Sequence, residues 1–232
     1  MAKVGALIVD FDGTACSVDV GGALLDRFGD PGWVEYDLAV DRGEIGLRHA
    51  LREQAAMIHG DLEEMVAYAV EHCPLDATFA RFVAWAEEQE LPLTIVSDGF
   101  ALYIAPILSA AGLERIPVIT NEIRFDGDRL RLLYPSGHPE CVGCGTCKMR
   151  AVLGAREQRG AVAFVGDGLA DRYGALYSDV AFAKGHLVTI CEREGVPFVP
   201  WETFDDVRSA LESPEALPGP VAPERCPGWR NG

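Results

Sequence analysis

Short, unbroken apolar runs alternate with longer amphipathic stretches along most of the chain. An unbroken run is typical of a strand buried on both faces of a parallel sheet, and apolar residues three or four positions apart indicate helices packed against that sheet. The pattern therefore predicts an α/β fold with a doubly wound, mainly parallel sheet. The predicted strands are Val4–Val9, Leu91–Val96, Pro117–Thr120, Ala161–Val165 and Val180–Ala183.

Residues 17–73 form a long stretch without a strand signal. Apolar residues at helical spacing predict four helices there, separated by turns rich in Gly and Asp. A helical segment between the first strand and the next helix–strand unit predicts an inserted cap at 17–73, with the α/β core at 1–16 and 74–212. The four predicted helices are Gly21–Phe28, Gly32–Val40, Leu47–His59 and Leu62–Cys73.

The second half of the chain adds a hairpin, a loop and a tail. The Asp126-Gly127 dipeptide between alternating runs predicts a small β-hairpin at Ile123–Leu133. Pro135–Cys147 is dense in Gly, Pro and Cys and predicts a loop, and the composition of 213–232 predicts an irregular C-terminal tail. Further helices are predicted at Asp76–Glu90, Leu102–Ala111, Lys148–Gln158 and Leu187–Glu194.

The charge balance restricts the partners that this chain can have. Its 232 residues include 20 basic and 36 acidic side chains, for a net charge of −16, which argues against nucleic-acid or anionic-membrane surfaces. We find no signal peptide and no apolar run long enough to span a membrane, so the expected location is the cytoplasm. Composition leaves the oligomeric state open.

Acidic groups and a hydroxyl follow three predicted strands at their carboxyl ends. The ends of parallel strands meet at one edge of a sheet, so these side chains should share a crevice. Close carboxylates repel one another unless a cation or a proton-transfer role offsets the repulsion. The residues are Asp10 and Asp12, then Ser97, Asp98 and Gly99, then Asp167 and Asp171, with Lys148 at the start of an intervening helix.

This set suits hydrolysis of a phosphate monoester by a covalent route. One carboxylate can attack phosphorus to form an aspartyl-phosphate, and a second acid can protonate the leaving alkoxide. Mg²⁺ on the carboxylates can neutralise the phosphate oxygens, while the hydroxyl and the ammonium hold the transferred group. The sequence therefore predicts a Mg²⁺-dependent phosphomonoester hydrolase that acts on a small phosphorylated metabolite.

The ordered motifs resemble those of the haloacid dehalogenase (HAD) phosphohydrolase superfamily. They are Asp10-Phe-Asp-Gly-Thr14, Ser97 after its strand, Lys148 at a helix start, and Gly166–Asp171. The resemblance implies a Rossmann-like core with an inserted cap. It also implies Asp10 as nucleophile and Asp12 as general acid/base, phosphate binding by Ser97 and Lys148, and Mg²⁺ ligation by Asp10, the Asp12 carbonyl and Asp167, with Asp171 as a ligand or orienting group.

The substrate stays open between three subfamilies. The cap position is that of phosphoserine phosphatases, whereas Thr120–Ile123, Cys144–Lys148 and Phe182–Phe204 resemble methionine-salvage phosphatases acting on 2-hydroxy-3-keto-5-methylthiopentenyl-1-phosphate. Asp98 departs from both, because Gly is expected there. The Ser97-Asp98 pair is similar to that of phosphocholine/phosphoethanolamine phosphatases, in which this acid faces a cationic head group. Asp98 could instead cap the helix near Phe100, or pair with a cap arginine: Arg27, Arg42, Arg48 or Arg52.

Seven cysteines, three of them clustered, indicate thiols or metal ligands rather than a disulfide framework. His138, Cys141, Cys144 and Cys147 offer four soft ligands for a structural Zn²⁺, with free thiols as the alternative. A second hypothesis for the whole chain is therefore a non-catalytic binding protein that combines this zinc loop with a HAD core.

Overall fold

The computed structural model describes residues 4–126, 129–213 and 226, and in that part of the chain seven strands form one sheet. The strand order is β4-β3-β2-β1-β5-β6-β7, and every pair is parallel except β3 with β4. This confirms the predicted α/β fold with a mainly parallel sheet. The strands are β1 (Ala6–Val9), β2 (Leu93–Phe100), β3 (Val118–Asp126), β4 (Arg129–Leu133), β5 (Val162–Gly166), β6 (Val180–Ala183) and β7 (Phe198–Pro200).

Strand β1 lies at the centre of the sheet, and all four of its residues are buried. Leu7 pairs with Leu93 of β2 on one side and with Ala163 of β5 on the other. The carboxyl ends of β1, β2 and β5 therefore lie side by side, which is where ligands bind in open α/β sheets.

Helices cover both faces of the sheet, and the two faces of β1 contact different hydrophobic clusters. Leu7 and Val9 belong to the cluster formed with α5, α6 and α10, whereas Ala6 and Ile8 belong to the one formed with α7, α8 and α9. The helices in the described residues are α1 (Val20–Phe28), α2 (Val34–Asp41), α3 (Leu47–Ala56), α4 (Leu62–His72), α5 (Phe79–Glu88), α6 (Ala101–Ala110), α7 (Lys148–Arg159), α8 (Arg172–Tyr177), α9 (Gly185–Glu194) and α10 (Phe204–Glu212).

Helices α1 to α4 occupy the region predicted as the cap. The chain enters and leaves this region at adjacent points, where Cys16 forms an antiparallel bridge with Leu75 and the Ser17 amide donates to the Pro74 carbonyl at 3.0 Å. Helix α4 also packs on the core through Met65 and Ala69. This arrangement is consistent with boundaries at 16/17 and 73/74, although the division into domains stays a prediction.

Some elements differ from the predicted ones. Strand β2 continues through Ser97, Asp98 and Gly99, which the sequence predicts to follow the strand, because Phe100 still pairs with Asn121 beyond an irregularity in the ladder. Helices α8 and α10 and strand β7 have no predicted counterpart, since each is short or close to a Pro-rich region. The hairpin is present as β3 and β4, but its turn at 127–128 lies outside the described residues, as does the predicted tail apart from Ser213 and Cys226.

Close packing between α8 and β5 generates a stability prediction. A Cβ on Gly174 would lie 2.5 Å from Cζ of the fully buried Phe164 ring, whereas a Cβ on Gly154, in α7, would meet nothing within 4 Å. Both substitutions to Ala gain up to about 1 kcal/mol of helix propensity. In Gly174→Ala, overpacking costs about 1–3 kcal/mol, so urea unfolding should show lower stability for Gly174→Ala and equal or higher stability for Gly154→Ala. Equal stability of the two variants would contradict this packing.

Candidate active site

The turn after β1 places two acids at the edge of the sheet where β1, β2 and β5 end. Asp10 follows β1 directly, and Asp12 lies in the tight turn Phe11–Ala15. Gly13 adopts φ +71°, and a Cβ there would lie 2.8 Å from the Asp167 carboxyl carbon. Only glycine therefore lets this turn approach the end of β5 so closely.

A buried ammonium joins the carboxylates of two strands. Lys148 Nζ donates at 2.6 Å to Asp10 Oδ1 and at 2.6 Å to Asp171 Oδ1, and the three residues are 3%, 6% and 0% exposed. Burial alone would lower the pKa of Lys148, but the two carboxylates outweigh burial and raise it. Burial and the Asp171 charge raise the pKa of Asp10, which Lys148 only partly opposes. The site therefore carries more negative charge than one ammonium can balance.

Asp10, Asp167 and Asp171 could hold a divalent cation. Each residue offers one carboxylate oxygen, and these three oxygens lie within 4.8 Å of one another. The Thr14 hydroxyl donates to Asp167 Oδ1 at 2.8 Å, and the amides of Asp167 and Gly168 donate to Asp171 Oδ2 at 2.8 and 3.0 Å. Burial and then the Asp171 charge raise the pKa of Asp167 to about 6. Hard oxygen donors with excess negative charge fit Mg²⁺.

The Asp12 carboxylate is not part of this acidic group and has different hydrogen-bond partners. It accepts hydrogen bonds from the Val20 amide (3.1 Å), the Ser97 hydroxyl (3.2 Å) and the Tyr103 hydroxyl (3.3 Å). Burial, followed by the charge of Asp19, raises the pKa of Asp12 to about 7. The side chain can therefore gain or lose a proton near neutral pH. Binding of Mg²⁺ by Asp12 stays a prediction for its backbone carbonyl oxygen only.

Ser97 and Gly99 face Asp12 from the end of β2. Ser97 is 1% exposed, and its Oγ accepts from the Gly99 amide at 2.8 Å. A Cβ on Gly99 would lie 2.7 Å from Asp12 Oδ2 and would also collide with the Tyr103 hydroxyl. Glycine at this position therefore makes room for the hydrogen bonds around Asp12.

Asp98 does not cap a helix. Helix α6 begins at Ala101 without a side-chain cap, and Asp98 Oδ1 instead accepts from the Thr146 amide at 2.6 Å. Its other oxygen is buried and has no hydrogen-bond partner among the described residues. Burial raises the pKa of Asp98, and Lys148 partly opposes this. Asp98 thus connects β2 to the loop before Lys148, and the helix-cap hypothesis is wrong.

Comparison with known proteins identifies the family. The family model described as haloacid dehalogenase-like hydrolase matches residues 7–175, more than half of the chain. The chain belongs to this family. Within the described residues, no helix combines the length and the apolar character needed to cross a bilayer.

Relatives of this hydrolase are named as phosphatases. The chain is 29% identical over 222 residues to a 2-hydroxy-3-keto-5-methylthiopentenyl-1-phosphate phosphatase of Geobacillus kaustophilus, covering 94% of this chain and 100% of the relative. It is 29% identical over 223 residues to a polyol phosphate phosphatase of Saccharomyces cerevisiae, covering 89% and 92%. The solved structure of a phospho-aspartyl intermediate analogue of phosphoserine phosphatase has the same fold, with a TM-score of 0.68 at 15% identity. The match covers 91% of this chain and 99% of that one.

The loop before Lys148 also contacts the predicted cap, residues 17–73. Arg48, at the start of α3, donates through Nε to the Cys144 carbonyl at 2.7 Å and through Nη2 to the His138 carbonyl at 3.3 Å. The Leu47 amide donates to the Gly143 carbonyl at 3.0 Å. The structure therefore pairs Arg48 with the loop, whereas the sequence suggested it as a partner of Asp98.

The predicted zinc ligands lie around a second, smaller cavity beside Lys148. His138, Cys141, Cys144 and Cys147 line it together with Cys226, and all of these cysteines are free thiols. Cys226 comes from the region predicted as an irregular tail, where no sequence signal pointed to a site.

Three other residues of the active site lacked an assigned role. Thr14 belongs to the quoted Asp10–Thr14 motif, so its contact with Asp167 could have been inferred. Tyr103 and Asp19 belong to no sequence motif. Tyr103 donates a hydrogen bond to Asp12 and the charge of Asp19 raises the pKa of Asp12, and both effects depend on how α6 and α1 pack against the turn.

The influence of Asp19 on Asp12 can be tested directly. Asp19→Asn keeps an oxygen that can accept from the Gly22 amide, which Asp19 now binds at 3.0 Å, but removes a negative charge near Asp12. Loss of that charge favours ionised Asp12, so its pKa should fall from about 7 by roughly 0.5. A pH titration of the ¹³C-labelled carboxyl carbon measures this shift, with the exposed Asp26→Asn as control. An unchanged or higher pKa in Asp19→Asn would contradict the assignment.

Proposed function

We propose that this hydrolase is a Mg²⁺-dependent phosphomonoesterase that forms an aspartyl-phosphate on Asp10. The observation that carries the proposal is the arrangement around Lys148. A buried ammonium contacts the proposed nucleophile, the nucleophile belongs to a cluster of hard oxygens, and an acid with a pKa of about 7 follows two residues later in the same turn. The hydrolase family and the phosphatase names of its relatives support the proposed phosphomonoesterase activity.

The two proposed steps use both acids of the first turn. An Asp10 oxygen forms a bond to phosphorus while the bond to the leaving oxygen breaks, and that oxygen takes a proton from Asp12. Ionised Asp12 then removes a proton from water as the water oxygen attacks phosphorus. The bond from phosphorus to Asp10 breaks, which releases inorganic phosphate and restores both residues to their starting protonation states.

The remaining residues position and neutralise the transferred group. Lys148 balances charge beside Asp10, while the Ser97 hydroxyl and the Gly99 amide can turn from their present partners to phosphate oxygens. When bound at Asp10 and Asp167, Mg²⁺ would supply electrostatic stabilisation of the non-bridging oxygens. The contacts of Asp171 with Lys148 and two amides support an orienting role for this residue.

The cavity beside Asp10 and Asp12 favours leaving groups without negative charge. It encloses about 1340 Å³ between the core and the cap. In the fully described cap, no Lys, Arg or His lines it, whereas the acids Asp19, Asp37 and Asp41 do, as does Glu44, which is paired with Arg42. On the core side, Arg172 and Arg193 already pair with Glu194. A substrate carboxylate facing the cap would therefore meet repulsion rather than a cation.

An uncharged substrate with an apolar end suits the rest of the lining. Leu25, Trp33, Leu51, Ile58 and Met65 supply apolar cap surface. The unpaired oxygen of Asp98 calls for a hydrogen-bond donor, which a substrate hydroxyl or ammonium could provide. We therefore place 2-hydroxy-3-keto-5-methylthiopentenyl-1-phosphate first, in line with the relatives of that name, and a polyol phosphate second. Phosphoserine is disfavoured.

A matched set of phosphate esters tests both the activity and this preference. Phosphoserine differs from phosphoethanolamine by one carboxylate, and 2-hydroxyethyl phosphate replaces the ammonium by a hydroxyl. With Mg²⁺ we expect kcat/KM for phosphoserine to be at least roughly tenfold below that for phosphoethanolamine, equivalent to about 1.4 kcal/mol. The salvage and polyol esters should exceed phosphoserine as well.

The controls separate the activity from the preference. Asp10→Asn should hydrolyse none of these esters, because an amide is a poor nucleophile. The variant should still fold, because Asn has nearly the same volume as Asp. A preference for phosphoserine would contradict the assignment of the cap lining. Absence of turnover with every ester, for a folded protein with Mg²⁺, would instead favour the non-catalytic binding protein.

A further inference from the structure

Four cysteines from two distant parts of the chain share one small cavity. Cys141, Cys144 and Cys147 come from the loop before α7, and Cys226 joins them from the C-terminal region. The cavity has a volume of about 20 Å³, and Cys141 and Cys226 are 7% and 9% exposed. A space of this size holds about one water molecule or one ion.

One of these sulfurs accepts from a backbone N–H group, as metal-bound thiolates often do, and a second belongs to a helix N-cap residue. The Gly143 amide donates to Cys141 Sγ at 3.3 Å. Cys147 is the N-cap residue of α7, directly before the first helical residue Lys148. Backbone N–H groups and a helix N-terminus both favour the ionised thiol, which is the form that binds metal.

His138 is less suited than Cys226 to be the fourth ligand. Its Nδ1 accepts a hydrogen bond from the Glu140 amide at 3.1 Å. A neutral imidazole that accepts through Nδ1 carries its proton on Nε2, so neither nitrogen offers a lone pair to a metal in this arrangement. Cys226 supplies a fourth sulfur on the same cavity.

We propose that Cys141, Cys144, Cys147 and Cys226 bind one structural Zn²⁺. Four thiolates at about 2.3 Å from the ion complete a closed tetrahedral site. No three of these four sulfurs, all of which belong to described residues, lie within 4.8 Å of one another in the structure. Zinc binding would therefore require the cysteine side chains to move inward. The ion would tie the C-terminal region to the loop that carries Lys148 and contacts Arg48.

Metal analysis of the full-length chain tests the proposal. Protein purified without chelator should contain one zinc per chain, and Co²⁺ in its place should give intense thiolate-to-cobalt charge-transfer absorption. Alanine at any of the four positions should weaken zinc binding by more than about 100-fold. His138→Gln should retain zinc, as should Cys191→Ala, which removes a buried thiol outside the cavity.

A measurement on the unmodified protein guards against variants that fail to fold. Removal of the ion by a chelator should expose the four thiols to a thiol reagent, and added Zn²⁺ should protect them again. Absence of zinc, or iron with sulfide in its place, would overturn the proposal. Undiminished binding in Cys226→Ala, or zinc loss in His138→Gln, would overturn the assignment of the fourth ligand.

Discussion

A single buried ammonium organises the candidate active site. Lys148 contacts Asp10 and Asp171, which come from the ends of two neighbouring strands, so the sheet, the loop before α7 and the helix itself must all meet at one point. Removing one partner of a buried ion pair typically costs about 3–5 kcal/mol, because the remaining charge is left uncompensated. The position of Lys148 is therefore constrained by stability as well as by chemistry. The three acids around it exceed its charge, which explains why the site suits a divalent cation.

The loop that precedes Lys148 connects this centre to the cap. Asp98 accepts from the Thr146 amide on the core side, and Arg48 donates to the Cys144 and His138 carbonyls on the cap side. The loop that leads into Lys148 therefore has direct hydrogen bonds to both the core and the cap. The same loop carries three of the proposed zinc ligands, so a metal ion there would stabilise the contacts on both sides.

The sequence predicted the fold and the grouping of Asp10, Ser97, Lys148 and Asp167, because an unbroken apolar run marks a buried parallel strand and such strands end at one edge. It could not predict contacts that depend on packing between distant elements. Tyr103 reaches Asp12 from α6, and Cys226 reaches the loop from the C-terminal region, without a spacing rule for either. Asp98 shows the same limit, since its residue type suggested a helix cap and its position in an extended β2 excluded one. Helix α10 did carry a signal, the reciprocal cap between Thr203 and Asp206.

The central claim is that Asp10 carries the phosphoryl group between the two steps. The most direct measurement is acid quenching of Asp12→Asn with Mg²⁺ and p-nitrophenyl phosphate, whose leaving group needs no proton from Asp12, followed by borohydride reduction and peptide mass spectrometry. Since this variant lacks the group that activates water, phosphate should accumulate on Asp10, and reduction should convert that residue to homoserine. Reduction at another acid, phosphate on Ser97, or rapid turnover with Asp10 unmodified would contradict the account.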